Sequence, residues 1–442
     1  MSYIKRLLRH KYICLPLVAA QLLITSVVIL HQVYLHDDRG RHAAREIAPE
    51  HPIFTEWRTS RKVSCLGQFV AYDNKFAYLK NVAINRDLFI GKRKGGESLS
   101  SVVNQVEEDE YLRCKPGAFR LPCGGTTFYY FAEENHLSRW VRCLSKYNPS
   151  HDNNTLWMNS RFTIAVLRYE YVNIYHTMTD WYNAFLMKAF FRQTHSDPDI
   201  LFIDAHPEGS LDSTWSVLFH AAKRLKSLPA QTRFSQLVFN LRGYDSPMSQ
   251  FAEIELPLVE EFRTFFLNKF GVADHHALNC NHLSILFIWR RDYVTHPRNP
   301  SGRITRKIAN EKELLSHIRG AYPSHTVQGI QIDKLSMKEQ LSLVTSTDIM
   351  IGMHGAGLTH ALFLPNKAAL VELFPKLLAL EHFSSIARWR HLIYESWSDI
   401  ENEYLVDEGY ATKVPHKEVH SILRNVLRKL CGHNSKISIV SH

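Results

Sequence analysis

Residues 353–359 place glycines and a histidine directly after an apolar run. A strand followed by a glycine-bearing turn and a helix leaves free backbone N–H groups and a positive dipole end at the turn. Gly355, Ala356 and Gly357 let the backbone approach a phosphate, and His354 can donate a hydrogen bond to it. This pattern predicts a phosphate-binding loop. A tight strand-to-helix turn without a ligand is the alternative.

Arginines follow a second apolar run, residues 282–289. Arg290 and Arg291 come directly after it, and Arg298 lies in the Pro- and Gly-bearing loop beyond. Guanidinium groups at strand ends can neutralise a diphosphate leaving group without a metal ion. Glu372 ends another apolar run at the same predicted sheet edge, where it could accept two ribose hydroxyls. The alternative readings are a solvated basic loop and a solvated carboxylate.

A candidate general base lies earlier in the chain. His176 and Asp180 are four residues apart, on one face of a helix if the helix begins early enough. An imidazole or carboxylate beside an acceptor hydroxyl is what sugar transfer needs. Alternatively, Thr179 caps the helix and Asp180 only favours its dipole. Trp215 could stack on a sugar face or simply pack in the core.

We predict no metal ion and no cofactor besides the sugar donor. Residues 197–199 read Asp-Pro-Asp, the D-x-D form linked to manganese-held nucleotide-sugars. Two aspartates around a proline before a strand are also ordinary turn chemistry, and the predicted phosphate loop requires no cation. The spacings of nine and twenty residues among Cys114, Cys123 and Cys143 do not match common zinc patterns.

The elements that must position these residues alternate between strand and helix patterns. The predicted strands are residues 162–167, 200–204, 282–289, 329–332, 348–352 and 369–374, and the predicted helices are residues 179–191, 214–225, 310–322, 336–345 and 417–430, with a further helix opening near Leu358. Ser336 and Asn310 each precede a glutamate at capping-box spacing. Such alternation implies parallel strands with covering helices, and hence an α/β protein of two halves with a cleft between them.

The N-terminus carries a membrane-anchor pattern. Residues 13–30 are uncharged and span ~27 Å as a helix, close to the thickness of a bilayer core. Four basic residues precede this run and two aspartates follow it, so the positive-inside rule puts the remainder in a lumen. A cleaved signal peptide is the alternative. The predicted organisation is a tail (1–12), an anchor (13–30), a stem (31–64), an N-terminal acceptor lobe (65–276), a C-terminal nucleotide-sugar lobe (277–430) and a tail (431–442).

Composition agrees with a globular enzyme in the secretory pathway. Of the 442 residues, 45% are hydrophobic and 22% are charged, and the absence of repeats excludes solenoid and disordered classes. A net charge of +10 is mild for a nucleic-acid binder but suits a diphosphate ligand. Six cysteines on the lumenal side predict disulfides of unspecified pairing. Asn153 begins a glycosylation sequon.

Together these motifs resemble glycosyltransferase family 61, most closely its β-1,2-xylosyltransferases that modify N-glycan cores. The matching blocks are residues 168–171 with Asn173, His176 and residues 179–182; residues 202–206; Thr214, Trp215, Leu218 and Phe219; residues 290–293 and 296–298; Ile308, Asn310 and Glu311; residues 336–338 with Gln340; and residues 351–352 and 354–360. The stretch before residue 162 resembles the plant enzymes much less.

The resemblance implies a Golgi enzyme of single-pass type II topology, with a two-lobed fold of Rossmann-like halves called GT-B. It implies inverting transfer of xylose from UDP-xylose to the 2-hydroxyl of the core β-mannose of N-glycans. Asp180 or His176 would be the base, and the further cleft candidates would be Asn173, Asp204, His206 and Trp215. The donor would contact Arg290, Arg291, Arg298, residues 354–357 and Glu372. A protein O-linked N-acetylglucosaminyltransferase and a non-catalytic Golgi lectin or scaffold are the alternatives.

Overall fold

The computed structural model describes residues 51–123, 136–147, 157–252, 255–274, 276–294, 296–376 and 380–432. From Glu56 onward these residues belong to one compact unit. Within these ranges no helix is long and apolar enough to cross a membrane. The predicted anchor at residues 13–30 and the sequon at Asn153 both lie outside the described residues.

The first half of the chain is built on a mixed sheet. Its strands run in the order β1-β2-β3-β12-β9-β10-β11, with β6, β7 and β8 alongside, while β4 and β5 form a separate pair. The strands are β1 (Arg61–Ser64), β2 (Phe69–Tyr72), β3 (Phe76–Asn85), β4 (Phe89–Ile90), β5 (Arg113–Cys114), β6 (Phe119–Leu121), β7 (Leu144–Lys146), β8 (Trp157–Asn159), β9 (Thr163–Val166), β10 (Asp199–Phe202), β11 (Ala221–Arg224) and β12 (Gln231–Phe239). The strands β12, β9, β10 and β11 are parallel, as the alternating pattern predicted.

The second half is built on a sheet in which every pairing is parallel, in the order β15-β13-β16-β17-β18. Its strands and three short neighbours are β13 (Ser284–Ile288), β14 (Lys307–Ile308), β15 (Thr326–Ile330), β16 (Ile349–Met353), β17 (Ala369–Phe374), β18 (Ile393–Ser398), β19 (Leu405–Val406) and β20 (Ala411–Thr412). Parallel strands end at the same edge of a sheet, so the segments after β13, β15 and β16 are brought together.

The described helices are α1 (Pro52–Thr59), α2 (His136–Val141), α3 (Ile174–Phe190), α4 (Asp212–Leu218), α5 (Val259–Phe270), α6 (Glu311–Ala321), α7 (Met337–Val344), α8 (His382–Trp389) and α9 (His416–Cys431). The capping box predicted at Ser336 is confirmed at the start of α7. The one predicted at Asn310 is wrong, because its side-chain amide donates to the carbonyl of Val414 instead of capping α6.

Three further predictions of secondary structure are corrected. The helix predicted at residues 214–225 ends at Leu218, and β11 follows because its residues pair with β10. The helix predicted near Leu358 is a 3-10 helix, Ala356–Phe363. Ordered structure also begins within the predicted stem: β1 pairs with β2, and Trp57 is buried against Phe76 and Phe190.

An apolar cluster packs against each sheet. The first includes Phe119, Trp140, Leu201, Leu237 and Phe239, and the second includes Ile285, Phe287, Ile351, Val371 and Leu423. The predicted disulfides are present, as Cys65–Cys123, Cys114–Cys143 and Cys280–Cys431. The last of these ties α9 to the segment before β13. The lobe boundary at residue 276 stays a prediction.

Candidate active site

A cavity of about 820 Å³ lies at the carboxyl edge of the parallel sheet. From the second half it is lined by residues that follow β13, β15 and β16, and from the first half by the start of α3 and the segment around α4. The lining includes Arg290, Arg291, Ala356 and Gly357 on one side and Asn173 on the other. Ligands of parallel α/β sheets bind at this edge. The structure therefore brings five of the predicted site residues to one cavity.

Arg290 and Arg306 concentrate positive charge at this cavity. Neither forms an ion pair with a carboxylate among the described residues, although Arg290 Nε donates to the carbonyl of Thr305 at 3.3 Å. Burial and the neighbouring Arg306 lower the pKa of Arg290 to about 10, and burial lowers the pKa of Arg306. The Glu372 carboxylate partly offsets the effect of burial on Arg306, but two partly buried cations without a directly paired carboxylate form a site that an anion stabilises. Arg306 lies in the same Pro- and Gly-bearing loop as Arg298, and the sequence analysis gave it no role.

The predicted phosphate loop lies against Arg290. A β-carbon at Gly355 would overlap the guanidinium, so glycine is required for this approach. Gly355 caps the 3-10 helix, whose first N–H groups have no partner within the helix. His360 Nδ1 lies 2.9 Å from the carbonyl of Gly357, and its Nε2 lies 2.8 Å from Gln340 Oε1 on α7. The loop is thus fixed to a neighbouring helix.

Glu372 and His354 form a buried pair beneath the loop. His354 Nδ1 is hydrogen-bonded to Glu372 Oε1, and Tyr394 donates to Glu372 Oε2 at 2.7 Å. Glu372 is 0% exposed and His354 is 4% exposed. The ribose contact of Glu372 stays a prediction; in this structure its carboxylate holds His354 and Tyr394 in the interior. His354 supports the loop from below instead of lining the cavity.

Two of the three arginines predicted to contact the donor form ion pairs with carboxylates of the chain. Arg291 lines the cavity but is paired with Glu311 and largely exposed. Arg298 lies 2.9 Å from Glu107, 3.4 Å from Glu110 and 3.4 Å from Glu170. The donor contact of Arg298 stays a prediction; in this structure its guanidinium holds three acidic side chains together.

The start of α3 borders the cavity. Asn173 caps this helix by accepting a hydrogen bond from the N–H of Tyr175 at 3.0 Å. The helix therefore begins early enough to place His176 and Asp180 on one face, as predicted. His176 is half-buried between the rings of Tyr169 and Tyr175, and burial lowers its pKa. The imidazole is neutral at physiological pH, as a base requires.

Asp180 does not reach the cavity. Its side chain is fully buried, and burial raises its pKa well above the ordinary value. Because Asp180 is buried and does not line the cavity, the structure does not place its carboxyl beside an acceptor hydroxyl bound there. Thr179 is an interior helix residue whose hydroxyl donates to the carbonyl of Tyr175, so it is not a cap either.

The other predicted cleft residues are also buried. Asp204 accepts two hydrogen bonds from Arg168, at 2.7 and 2.9 Å. Burial raises the pKa of Asp204, but the Arg168 guanidinium outweighs it and lowers the pKa overall. His206 lies 3.1 Å from Glu110, and Trp215 packs against Trp181 and Phe202. These three predicted cleft residues belong to the interior. The hydrogen bonds between Arg168 and Asp204 fix the segment that leads to Glu170.

Glu170 and His296 face each other at the cavity wall. Glu170 Oε1 accepts from the N–H of Tyr171 at 2.7 Å, and Oε2 lies 3.5 Å from His296 Nε2. Burial raises the pKa of Glu170, but the hydrogen bonds from His296 and Tyr171 outweigh it and hold the pKa at about 2. The sequence analysis included both residues in matching blocks but gave neither a role.

The Asp-Pro-Asp segment lies apart from this cavity lining. Asp197 is paired with Lys188 and Lys269, and Asp199 with His220. Both carboxylates are thus engaged by basic side chains. This agrees with the interpretation of residues 197–199 as a turn.

The middle of the chain matches the model of a known protein family. The family model for glycosyltransferase 61 matches residues 161–371, the range that runs from β9 into β17. This range contains Glu170, Asn173, His176, Arg290 and the loop at Gly355. The match therefore covers all of the residues that line the cavity.

Two kinds of relatives are similar to the chain. A β-1,2-xylosyltransferase of Oryza sativa subsp. japonica is 27% identical over 348 residues, which cover 70% of this chain and 64% of the relative. A β-1,2-xylosyltransferase of Arabidopsis thaliana is 25% identical, covering 53% and 51%. An EGF domain-specific O-linked N-acetylglucosamine transferase of Drosophila melanogaster is 30% identical, covering 54% and 45%. The chain thus spans roughly half to two thirds of the length of these relatives.

Proposed function

We propose that this chain, whose residues 161–371 match the family model for glycosyltransferase 61, transfers xylose from UDP-xylose to the 2-hydroxyl of the core β-mannose of N-glycans. The reaction inverts the anomeric centre and gives a β-1,2 link. In this proposal the two sheets are the cores of two GT-B lobes, residues 13–30 anchor the enzyme in the Golgi membrane, and the catalytic part is lumenal.

The observation that carries the proposal is the pair Arg290 and Arg306 beside the backbone of residues 355–357. Both cations lack a carboxylate partner in the described part of the chain, and both stand at the carboxyl edge of the parallel sheet. A diphosphate would supply the missing negative charge, and its leaving-group charge would be stabilised there without a metal ion. The proposed enzyme therefore needs no divalent cation.

Xylose is favoured over other sugars by the extent of similarity. The alignment with the rice xylosyltransferase covers 70% of this chain, including sequence outside residues 161–371. Acceptor recognition depends on parts of a glycosyltransferase beyond the donor site, so a longer match supports the acceptor as well as the donor. The N-glycan acceptor rests on this argument.

A second candidate is transfer of N-acetylglucosamine to protein. It is favoured by the fly relative, whose 30% identity exceeds that of the plant enzymes over a shorter range. This activity requires UDP-N-acetylglucosamine and a polypeptide acceptor. The cavity volume of about 820 Å³ accommodates either sugar.

One experiment separates these functions. The full chain, purified in detergent, is supplied with a panel of UDP-sugars and with either N-glycans or folded EGF domains, and the linkage of each product is determined. We expect xylose transfer to N-glycans, with a chelator leaving the rate unchanged. Transfer of N-acetylglucosamine to EGF domains would establish the second candidate, and UDP binding without any transfer would favour a lectin or scaffold.

A further inference from the structure

We propose that Tyr169, His176 and Tyr244 form a binding surface for the oligosaccharide chain of the acceptor. The inference rests on the proposed glycosyl transfer and adds an acceptor subsite beside the cavity. These three residues, the tyrosine patch, would hold the sugar units next to the one that receives xylose. The donor would be held separately, at Arg290 and Arg306.

The fold brings the three rings of the tyrosine patch together. Tyr169 follows β9 and Tyr244 follows β12, and these two strands are parallel neighbours in the first sheet. Segments that follow neighbouring parallel strands leave the sheet at the same edge. There the two phenol rings meet edge to face, with centroids 5.2 Å apart and hydroxyls 3.5 Å apart. The ring of His176, from the first turn of α3, lies 4.8 Å from the ring of Tyr169.

The tyrosine patch adjoins the wall that the first half contributes to the cavity. Glu170 follows Tyr169 directly in the chain, and Asn173 lies about one helical turn before His176. Both Glu170 and Asn173 line the cavity. An acceptor longer than one sugar unit that enters the cavity along this wall would therefore lie across the patch.

Tyr244 presents its ring to solvent from a fixed turn. The residue is 64% exposed, and Tyr404 is the other exposed aromatic residue in the part of the chain that the structure describes. A large ring left in water forgoes the free energy of burial. The turn that carries it is nevertheless held in place, because Ser249 donates to the carbonyl of Gly243 at 3.1 Å and Gly243 packs against Tyr169. An exposed ring on a fixed turn is preorganised to bind a ligand.

The chemistry of the tyrosine patch suits an uncharged sugar chain. Phenols stay protonated far above pH 7, and burial lowers the pKa of His176, so all three rings are uncharged at neutral pH. Aromatic faces can pack against the C–H groups of a sugar ring, and the hydroxyls of Tyr169 and Tyr244 can exchange hydrogen bonds with sugar hydroxyls. The charged diphosphate is attracted instead to Arg290 and Arg306. The two surfaces thus fit two different substrates.

The test measures acceptor binding separately from donor binding in the full chain. We expect Tyr244→Ala to raise the KM for a free N-glycan core oligosaccharide about threefold to tenfold, because one aromatic contact is lost. The Kd for UDP, measured by calorimetry, should stay unchanged. Tyr244→Phe keeps the ring and should raise KM less. Tyr404→Ala is the matched control, because it removes an exposed tyrosine that lies beside Trp397 in the second half, and it should leave KM unaltered.

Saturation-transfer NMR with the same oligosaccharide and UDP follows binding without turnover. An unchanged KM in folded Tyr244→Ala, or an equal rise in Tyr404→Ala, would overturn the inference. Binding of folded EGF domains through Tyr244, with no binding of the oligosaccharide, would also overturn it, since the occupant would then be a polypeptide. If Tyr244→Ala does not fold, Tyr244→Leu keeps an apolar side chain without a flat ring and must raise KM. A wild-type chain that binds the oligosaccharide through Tyr244 but transfers no xylose would overturn the proposed function alone.

Discussion

Arg290 and Arg306 set the chemistry of the cavity at the scale of single residues. Their charges are held close together without a carboxylate partner in the described ranges, and burial lowers the pKa of both. Such an arrangement is unfavourable in the empty protein, because partly buried like charges repel each other. The same arrangement makes anion binding favourable. Donor affinity should therefore depend steeply on either cation.

Replacing Arg290 tests this dependence. We expect Arg290→Ala to weaken UDP binding about tenfold to a hundredfold, since a charge-assisted hydrogen bond contributes about 1.5–3 kcal/mol. Arg291→Ala is the matched control, because Arg291 follows Arg290 directly but is exposed and paired with Glu311. Calorimetric titration with UDP measures both. Equal losses in the two variants would mean that Arg291, which also lines the cavity, contributes as much to nucleotide binding as Arg290 does.

The burial of Asp180 gives a second residue-level prediction. Because its side chain is buried away from the cavity lining, Asp180→Asn should keep kcat within about threefold of the wild type. Steady-state transfer assays together with a melting curve test this. A stable variant without activity would assign the base role to Asp180.

Residue types alone identified part of this site. Arg290 could be predicted because it follows an apolar run immediately, which places it at a strand end. Asp204 and His206 have the same local pattern after β10, yet they are buried by Arg168 and Glu110, which are distant in sequence. Glu170 was missed for the converse reason. Only the tertiary fold brings it to the cavity that also contains Arg290.

At the scale of elements, the turn between β16 and the 3-10 helix decides whether the cavity can bind an anion. Gly355 has an extended backbone, with a φ of 169°, so glycine is not needed there for its conformation. It is needed because the guanidinium of Arg290 occupies the space of a β-carbon. The sequence predicted that these glycines let the backbone approach a bound phosphate. It could not predict that the guanidinium of Arg290 would itself lie against Gly355.

Gly355→Ala should therefore displace Arg290 and weaken UDP binding by about the same factor as Arg290→Ala. Gly320→Ala in α6 is the control, because a β-carbon there meets nothing within 4 Å. Alanine should even stabilise that helix slightly. The two variants are compared by UDP titration and thermal melting. Unchanged UDP affinity in Gly355→Ala would show that the contact with Arg290 is not required.

The junction of the 3-10 helix with α7 predicts a pH dependence. Burial lowers the pKa of His360 to about 4, below the value of about 6.5 in the unfolded chain. The unfolded chain therefore takes up the proton first, and this contribution to stability is lost as the pH falls from 6.5 towards 4. Between pH 7 and pH 5 the loss is about 2 kcal/mol.

Denaturant unfolding at both pH values measures this effect, with His360→Gln as the comparison. The variant should be less stable at pH 7 but should lose less stability on acidification. An identical pH dependence in the two proteins would assign the effect to other groups.

At the scale of the whole molecule, disulfides cross-link distant segments within each half of the chain. The pairs Cys65–Cys123 and Cys114–Cys143 lie in the first half, while Cys280–Cys431 joins the entry to the parallel sheet with the last described helix. The number of cysteines predicted disulfides in an oxidising compartment. Their pairing depends on which segments the sheets bring together, and for that reason it could not be predicted.

Loss of the longest bridge should destabilise the second half. Cys280 and Cys431 are 151 residues apart, and closing so long a loop stabilises the folded state by up to about 5 kcal/mol. We expect the double variant Cys280→Ser with Cys431→Ser to unfold at lower denaturant concentration and to bind UDP more weakly near the transition. Replacing both Cys114 and Cys143, which are 29 residues apart, should cost less. The reverse order would mean that strain or residual structure outweighs loop length.

The same bridge imposes an order on synthesis. The two bridges of the first half involve only residues up to Cys143, whereas Cys280 can pair only after α9 and Cys431 have been synthesised. Early closure of the other pairs removes four competing thiols from the nascent chain before Cys280 emerges. The order of the cysteines along the chain thus reduces the number of free thiols with which Cys280 could mispair.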